Sequence, residues 1–191
     1  MNTNLAYQDY PAEELIGGKF VAMSPSPAIN HNRVIGNIYR IFAHYLNGRR
    51  CEPFADGVDV YLTEEDRFIP DMMVVCDPDK VKADGVYGAP DLVVEVLSPS
   101  TAKNDKWYKK NLYESSGVPE YWIVNPVDCS IEVYRLQDGG YVLDNLYTHY
   151  RRSELDDLDE TERANLVAEF QCHLFSDLNI PLEDIFGDLF V

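Results

Sequence analysis

Two carboxylates of this chain lie inside apolar runs, where an unpaired charge would be costly. Glu95 stands in residues 90–98, which otherwise have the composition of a buried β-strand, and Asp71 stands in the similar run 69–75. A lysine-rich segment follows the second run. Carboxylate oxygens suit hard divalent cations, and lysine is a common partner of phosphate. This set of residue types suggests a metal-dependent phosphodiesterase site.

Strand alternation adds a constraint on the lysine. Successive side chains of a strand point to opposite faces, so Asp91, Glu95 and Leu97 share one face. A strand built for phosphodiester hydrolysis would carry lysine beside the glutamate, at the position that Leu97 occupies. The nearest replacements are the lysines of the following segment, among them Lys109. Asp91 lies roughly 13 Å from Glu95 along an extended strand, so we expect it to bond to backbone instead.

The elements that would position these residues alternate between strand and helix. Apolar spacing predicts an amphipathic helix over about 29–47 and a second helix over 102–114. The predicted strands and hairpins cover residues 14–23, 57–62, 68–75, 92–97, 120–124 and 131–147. We expect the large aromatic residues Tyr113, Tyr121 and Trp122 to pack in the core. A core sheet with helices is the expected outcome.

Length and composition favour one domain spanning residues 1–191. The chain has 191 residues and 46% apolar content, enough for a substantial core. Neither a secretory signal nor an apolar run long enough for a membrane span is recognisable, so we expect a cytoplasmic protein without a membrane partner. The cysteines are scattered without metal-binding spacing, and we expect all of them to be reduced thiols: Cys51, Cys76, Cys129 and Cys172.

The net charge argues against a nucleic-acid partner, but the charge is uneven. A formal charge of −17 and a pI near 4.4 would repel a polyanion at long range. Residues 28–51 and 97–113 are nevertheless locally basic. Much of the acidity lies in the C-terminal part, including a segment at about 151–163 that we expect to be a surface loop or a short surface helix. A nucleic-acid substrate therefore stays compatible with the sequence.

Several runs together resemble one family of nucleases. The runs are 68–71, 89–101, Asp105 with Lys109, and 117–122, with weaker likeness at 14–19, His31 and 181–186. They are similar to the Uma-type branch of the PD-(D/E)XK restriction-endonuclease-like superfamily. The resemblance implies a mixed α/β (α+β) fold, with a restriction-endonuclease-like central mixed β-sheet, flanking helices and additional hairpins. It also implies that the strand lysine has moved onto the following helix, as Lys109.

The resemblance further implies an enzyme, a Mg²⁺-dependent endonuclease that hydrolyses phosphodiester bonds of DNA. Mn²⁺ could replace Mg²⁺. Asp71 and Glu95 would be the metal ligands, and Lys109 would complete the catalytic set by positioning water or stabilising charge on the phosphate. Glu14 and His31 could be accessory residues. A homodimer would suit the cutting of two strands.

Each assignment has an alternative. Asp71 could cap a turn, Glu95 could form a structural salt bridge, and Lys109 could be a solvated helix residue. Glu14 fits a surface position beside the Gly17–Gly18 turn, and a histidine in a first helical turn often packs. For the whole protein, the alternatives are a catalytically inactive nuclease-fold domain acting as a binding or assembly module, and a two-carboxylate hydrolase without metal.

Overall fold

The structure is a computed structural model that describes residues 13–22, 28–98 and 104–190. Within these residues the strands form two six-stranded sheets and one two-stranded sheet. The strands are β1 (Glu13–Ile16), β2 (Lys19–Ala22), β3 (Glu52–Ala55), β4 (Val60–Tyr61), β5 (Arg67–Phe68), β6 (Met72–Val75), β7 (Val81–Lys82), β8 (Gly85–Tyr87), β9 (Leu92–Val96), β10 (Glu120–Asn125), β11 (Ser130–Gln137), β12 (Gly140–Thr148), β13 (Glu169–Gln171) and β14 (Asn179–Pro181). The helices are α1 (Ile29–Tyr45), a 3₁₀ turn (Pro78–Lys80), a π-helix (Asn104–Lys109), α2 (Lys110–Ser116), α3 (Arg152–Leu155), α4 (Glu160–Ala164) and α5 (Leu182–Phe186).

The large sheet has the strand order β12-β11-β10-β9-β6-β3. Strands β9 and β10 run parallel, whereas the neighbouring pairs are antiparallel, so the sheet is mixed. Every residue of β9 is buried, as expected for a strand covered on both faces. The apolar stripe of α1 packs on one face, where Phe42 meets Trp122 with ring centroids 5.8 Å apart. The predicted mixed α/β fold is confirmed.

The second sheet covers the other face of the large one and has the order β2-β1-β5-β4-β8-β7. Phe68 of this sheet packs with Met73, Val93 and Tyr121 of the large sheet in one buried cluster. Sequence analysis did not predict this sheet, because several of its strands have only two residues. Strands that short carry no measurable alternation.

Two predicted elements differ in their boundaries. The predicted strand 68–75 is divided, because Phe68 ends β5 in one sheet and Met72 begins β6 in the other. Pro70 lies between them, and proline has no N–H to continue a ladder. Residues 102 and 103 of the predicted helix 102–114 lie outside the described residues. From Asn104 to Lys109 the helix is a π-helix, and it continues as α2 to Ser116.

One cysteine prediction was wrong. Cys51 and Cys76 form a disulfide instead of remaining reduced thiols. They flank Glu52 and Val75, which are paired in the antiparallel β3–β6 ladder, so the fold brings the two cysteines together across strands. Cys129 and Cys172 are free and buried, as expected.

The acidic segment contains α3 and α4, which matches the short-helix alternative. Across the described parts of the chain, none of the helices combines the length and apolarity needed to cross a membrane.

Candidate active site

Lys109 is buried at the C-terminal end of the π-helix, with 4% of its surface exposed. Its Nζ lies 2.8 Å from Oε1 of Glu14 and 3.1 Å from Oε1 of Glu95. Lys109 thus joins a carboxylate of the second sheet to a carboxylate of the large sheet. The helix-borne lysine lies on the face of β9 that carries Glu95, as the alternation argument required.

The π-helix is anchored beside the lysine by a second carboxylate network. The hydroxyl of Tyr108 donates to Oδ1 of Asp66 at 3.0 Å, and the same oxygen accepts from the N–H of Gly17 at 2.9 Å. Gly17 has a φ of 54°, and a Cβ there would lie 3.3 Å from the Tyr108 hydroxyl. The turn between β1 and β2 therefore packs closely on the π-helix. Sequence analysis missed Asp66, because no apolar run marks it.

Glu95 is 2% exposed and accepts two hydrogen bonds at one oxygen. Oε1 receives the Lys109 ammonium and also the Tyr113 hydroxyl at 3.0 Å. Burial and the nearby Glu95 charge raise the pKa of Tyr113 well above its usual value, so the phenol remains a proton donor. Tyr113 packs in the core as predicted, but the prediction missed its hydrogen bond. Its spacing from Lys109 on the same helical segment was the available signal.

Glu14 is buried, with 6% of its surface exposed, so the surface alternative was wrong for this residue. Strand β1 pairs with β5 through Leu15 and Arg67. This pairing brings Glu14 close to Ile69, where the chain passes from β5 to β6. Its Oε1 accepts from the N–H of Ile69 at 3.3 Å in addition to Lys109. A four-residue strand was too short for its alternation to be read from the sequence.

Asp71 lies at the corresponding end of β6. The antiparallel register pairs Met72 with Val94, and its continuation places Asp71 opposite Glu95. Oδ2 of Asp71 accepts from the N–H of Val96 at 2.6 Å. The two predicted carboxylates are therefore neighbours across the β6–β9 ladder.

His31, in the first turn of α1, is buried beside Asp71. Its Nε2 lies 3.5 Å from Oδ2 of Asp71. Burial lowers the pKa of His31, but the hydrogen bond and negative charge of Asp71 outweigh it, and the net pKa is raised. Nδ1 is buried without a hydrogen-bond partner among the described residues.

Asp91 lies apart from this group. Its Oδ2 accepts from the N–H of Cys76 at 2.7 Å, which is the expected backbone role.

The donor set fits Mg²⁺ better than a transition metal. In the parts of the chain described above, no cluster of three or more His, Cys, Asp or Glu residues is arranged to hold a metal ion. Mg²⁺ needs less, since one or two carboxylates commonly hold it together with water and substrate oxygens. Asp71 and Glu95 offer oxygen atoms only. Glu14 and Glu95 share the Lys109 ammonium, whereas Asp71 lies beside His31.

Residues 5–173 match the Uma2 family, described as "Putative restriction endonuclease". The chain belongs to the Uma2 family. This confirms the resemblance recognised in the sequence. The chain is also similar to "Uncharacterized protein slr1290" of Synechocystis sp., with 30% identity over 143 residues covering 74% of this chain and 73% of the relative. "Uncharacterized protein sll1609" of the same organism is 29% identical over 138 residues, covering 70% of this chain and 77% of that protein.

A solved structure shares the fold of this Uma2 chain. It is described as a "putative nuclease belonging to DUF820 from Anabaena variabilis", with a TM-score of 0.69. The likeness covers 93% of this chain and 90% of the other at 17% identity. At that identity the comparison establishes a shared fold.

Proposed function

We propose that this Uma2 protein is a Mg²⁺-dependent endonuclease that hydrolyses phosphodiester bonds of DNA. The observation that carries the proposal is the Lys109 ammonium, held by carboxylates of both sheets at 2.8 and 3.1 Å beside the β6–β9 strand ends. The family description and the nuclease-titled neighbour support the same class of reaction.

In this proposal Asp71 and Glu95 hold the metal. When bound, Mg²⁺ would polarise the phosphoryl group and lower the pKa of a bound water. A divalent cation between Asp71 and Glu95 would offset the cost of placing two carboxylates close together. Mn²⁺, with similar ligand preferences, could substitute.

Lys109 supplies a fixed positive charge. Its Nζ is held on two sides by Glu14 and Glu95, so little reorganisation is required when negative charge develops on the phosphoryl oxygens. Tyr113 shares Oε1 of Glu95 with the lysine and orients that carboxylate. His31 and the Val96 N–H orient Asp71 in the same way.

A plasmid assay tests the proposal. Purified protein would be incubated with supercoiled plasmid in Mg²⁺, in Mn²⁺ and in EDTA. We expect nicked or linear product with either metal, none in EDTA, and none with Glu95→Gln. Glu120→Gln is the matched control, since Glu120 is equally buried but lies outside the site. Intact plasmid with the wild-type protein, or equal cutting by Glu95→Gln, would reject the endonuclease.

A catalytically inactive binding or assembly module is the second candidate. The observation that favours it is that Lys109, Glu14 and Glu95 already form a buried ion-pair network, in a chain with a formal charge of −17. Such a network could be purely structural. This candidate predicts that Mg²⁺ leaves the melting temperature unchanged.

The assembly state and cellular location belong to the same hypothesis. We expect a cytoplasmic homodimer, since two-fold symmetry would present two sites to two strands. Light scattering of the purified protein would measure the mass directly, and a monomeric mass at working concentrations would argue against paired cutting.

A further inference from the structure

Strand β12 is the outermost strand of the large sheet. Among the described residues its one paired strand is β11, so the other side of β12 directs backbone groups away from the sheet. An open strand edge is a template for another strand, and natural proteins commonly shorten such edges or place charges along them. Strand β12 has nine residues, and Asp144 is its single charge.

The middle of β12 is exposed and apolar. Residues 142–146 are all exposed. Three of them have large apolar side chains, namely Val142 at 47%, Leu143 at 49% and Leu146 at 54% exposure. Exposed apolar residues are common when they are scattered, but these three lie together on one open edge. This edge is therefore a candidate surface for another strand.

The single charge of β12 is balanced within the chain. Asp144 lies 3.0 Å from Arg135 and 2.9 Å from His173. The formal charge of the whole chain is −17, which would repel a second copy over most of the surface. At β12 this local repulsion is small, so the strand suits contact between two copies.

The register shows which backbone groups of β12 point outward. The N–H of Leu136 in β11 donates to the carbonyl of Pro119 at 2.9 Å, toward β10. Alternate residues of an antiparallel strand bond to opposite neighbours, so every second residue of β11 also bonds toward β10. Leu143 and Leu146 lie opposite two of these residues, and their own N–H and C=O groups therefore point away from β11. The N–H of Leu146 agrees with this, because it donates to the side chain of Asn145 at 2.9 Å.

A β-bulge places these two leucines on the same face. The β11–β12 register shifts by one residue, which leaves Asp144 as an extra residue of β12. Leu143 and Leu146 consequently lie opposite alternate residues of β11, which share a face. A bulge disfavours pairing with a regular strand, whereas a second copy carries the same bulge at the matching place.

We propose that β12 pairs antiparallel with β12 of a second copy about a two-fold axis, with Leu143 opposite Leu146 of that copy. This register joins outward backbone groups on both strands and keeps the leucines on one face. It also places Asp144 opposite Asn145, whose side-chain amide can donate to the carboxylate. The two six-stranded sheets then form one continuous sheet.

This interface lies away from the candidate site, because β10 and β11 separate β12 from β9. The inference names the surface of the homodimer proposed above and does not depend on the nuclease chemistry. A monomer that cuts plasmid would reject the interface alone. A dimer joined through β12 that cuts no plasmid would reject the endonuclease alone.

The mass of the protein in solution provides the first test. Light scattering after gel filtration should give a dimer for the wild type. Leu146→Asp should raise the Kd of the dimer at least about a hundredfold, since a two-fold axis repeats each substitution. Val167→Asp is the matched control and should remain dimeric, because Val167 is 47% exposed and lies outside β12. A monomeric wild type, or a dimer that Leu146→Asp leaves intact, would overturn the interface.

Cysteine cross-linking tests the register. A mixture of Leu143→Cys and Leu146→Cys proteins should form a disulfide-linked dimer on mild oxidation, because Cα atoms of a hydrogen-bonded pair lie about 5.5 Å apart. Either variant alone should give little of this product, since the two-fold axis holds identical positions apart. Non-reducing gels, with a thiol-reduced control, measure the dimer. Cross-linking by one variant alone that equals that of the mixture would refute this register.

Discussion

Two carboxylates of the large sheet are equally buried and have different partners. Glu95 in β9 and Glu120 in β10 are each 2% exposed, on neighbouring parallel strands. The register pairs Glu95 with Ile123 and Glu120 with Leu92, so the two carboxylates lie toward opposite ends of the pair. One end holds the candidate site, and the other does not.

The donors around the two groups account for the difference. Glu120 accepts from the indole N–H of Trp122 at 2.7 Å and from the N–H of Leu174 at 2.9 Å, both of them neutral groups. The bond from Leu174 attaches the C-terminal segment to the sheet. Glu95 instead contacts an ammonium that a second carboxylate shares. Burial of a carboxylate alone therefore does not distinguish the two residues, whereas the ammonium that Glu95 shares with Glu14 does.

The largest effect on stability is expected for Lys109→Met. Removal of the ammonium leaves Glu14 and Glu95 buried without their shared cation, which should lower the free energy of unfolding by about 3–5 kcal/mol. Glu120→Gln should cost only about 1–3 kcal/mol, because the amide oxygen can still accept from one of the two neutral donors and only the other loses its acceptor. Urea denaturation measures both. Equal losses would mean that the two carboxylate groups are energetically alike.

The difference between Glu95 and Glu120 should be largest in the rate of DNA cleavage. Glu95→Gln is expected to lower the rate of plasmid cutting by about 10²–10³-fold, since the loss of a preorganised polar group at the reacting centre has this magnitude. Glu120→Gln should keep the wild-type rate once the protein is folded. Time courses on supercoiled plasmid give the rates. A comparable loss in both variants would assign the effect to stability.

Mg²⁺ should raise the melting temperature only when Asp71 and Glu95 are intact. At a hundredfold excess over Kd, a ligand that binds the native state contributes about 2.7 kcal/mol. The melting temperature of the wild type and of Glu120→Gln should therefore rise by several degrees, and that of Asp71→Asn should not. Differential scanning fluorimetry with and without Mg²⁺ measures the shift. An equal shift in Asp71→Asn would place the metal elsewhere.

Among the residues that contact Glu95, Tyr113→Phe should have the smaller effect, below that of Lys109→Met. It removes one hydrogen bond to Glu95 and leaves the ring packing, so about 1.5–3 kcal/mol of stability should be lost. The apparent affinity for Mg²⁺ should fall about tenfold, as for groups that orient metal ligands. Cys172→Ala, which removes the thiol near Glu120, is the matched control and should leave Mg²⁺ affinity unchanged. The melting temperature measured at increasing Mg²⁺ concentration gives the apparent affinity of Tyr113→Phe and of Cys172→Ala.

Only part of the candidate site around Glu95 could be predicted from the sequence. Asp71 and Glu95 were recognisable because charge inside an apolar run has a strong physical cost. Lys109 was chosen among four lysines because the chain resembles a family that has a lysine at this helix position. Helical spacing alone did not distinguish Lys109 from the neighbouring lysines. Glu14 was identified only as a possible accessory residue, through the family resemblance, because a four-residue strand gives too little alternation to assign a face.

The two-sheet arrangement was beyond sequence analysis for a related reason. The run 68–75 has continuous strand character, and its division between two sheets depends on long-range packing of Phe68 and Met72. The Cys51–Cys76 pairing likewise follows from the β3–β6 register, which the spacing of the cysteines does not encode.

The division of residues 68–75 between two sheets also affects how the site could open. The chain passes from one sheet to the other between Phe68 and Met72, so the carboxylates that share Lys109 belong to two different sheets. Sub-global opening of the smaller sheet would carry Glu14 away while Glu95 and Asp71 remain on the larger one. Amide exchange in β1 and β5 would then be coupled to the integrity of the ion-pair network, whereas exchange in β9 and β10 would follow global unfolding. The lysine thus links the two sheets by ion pairs in addition to their apolar packing.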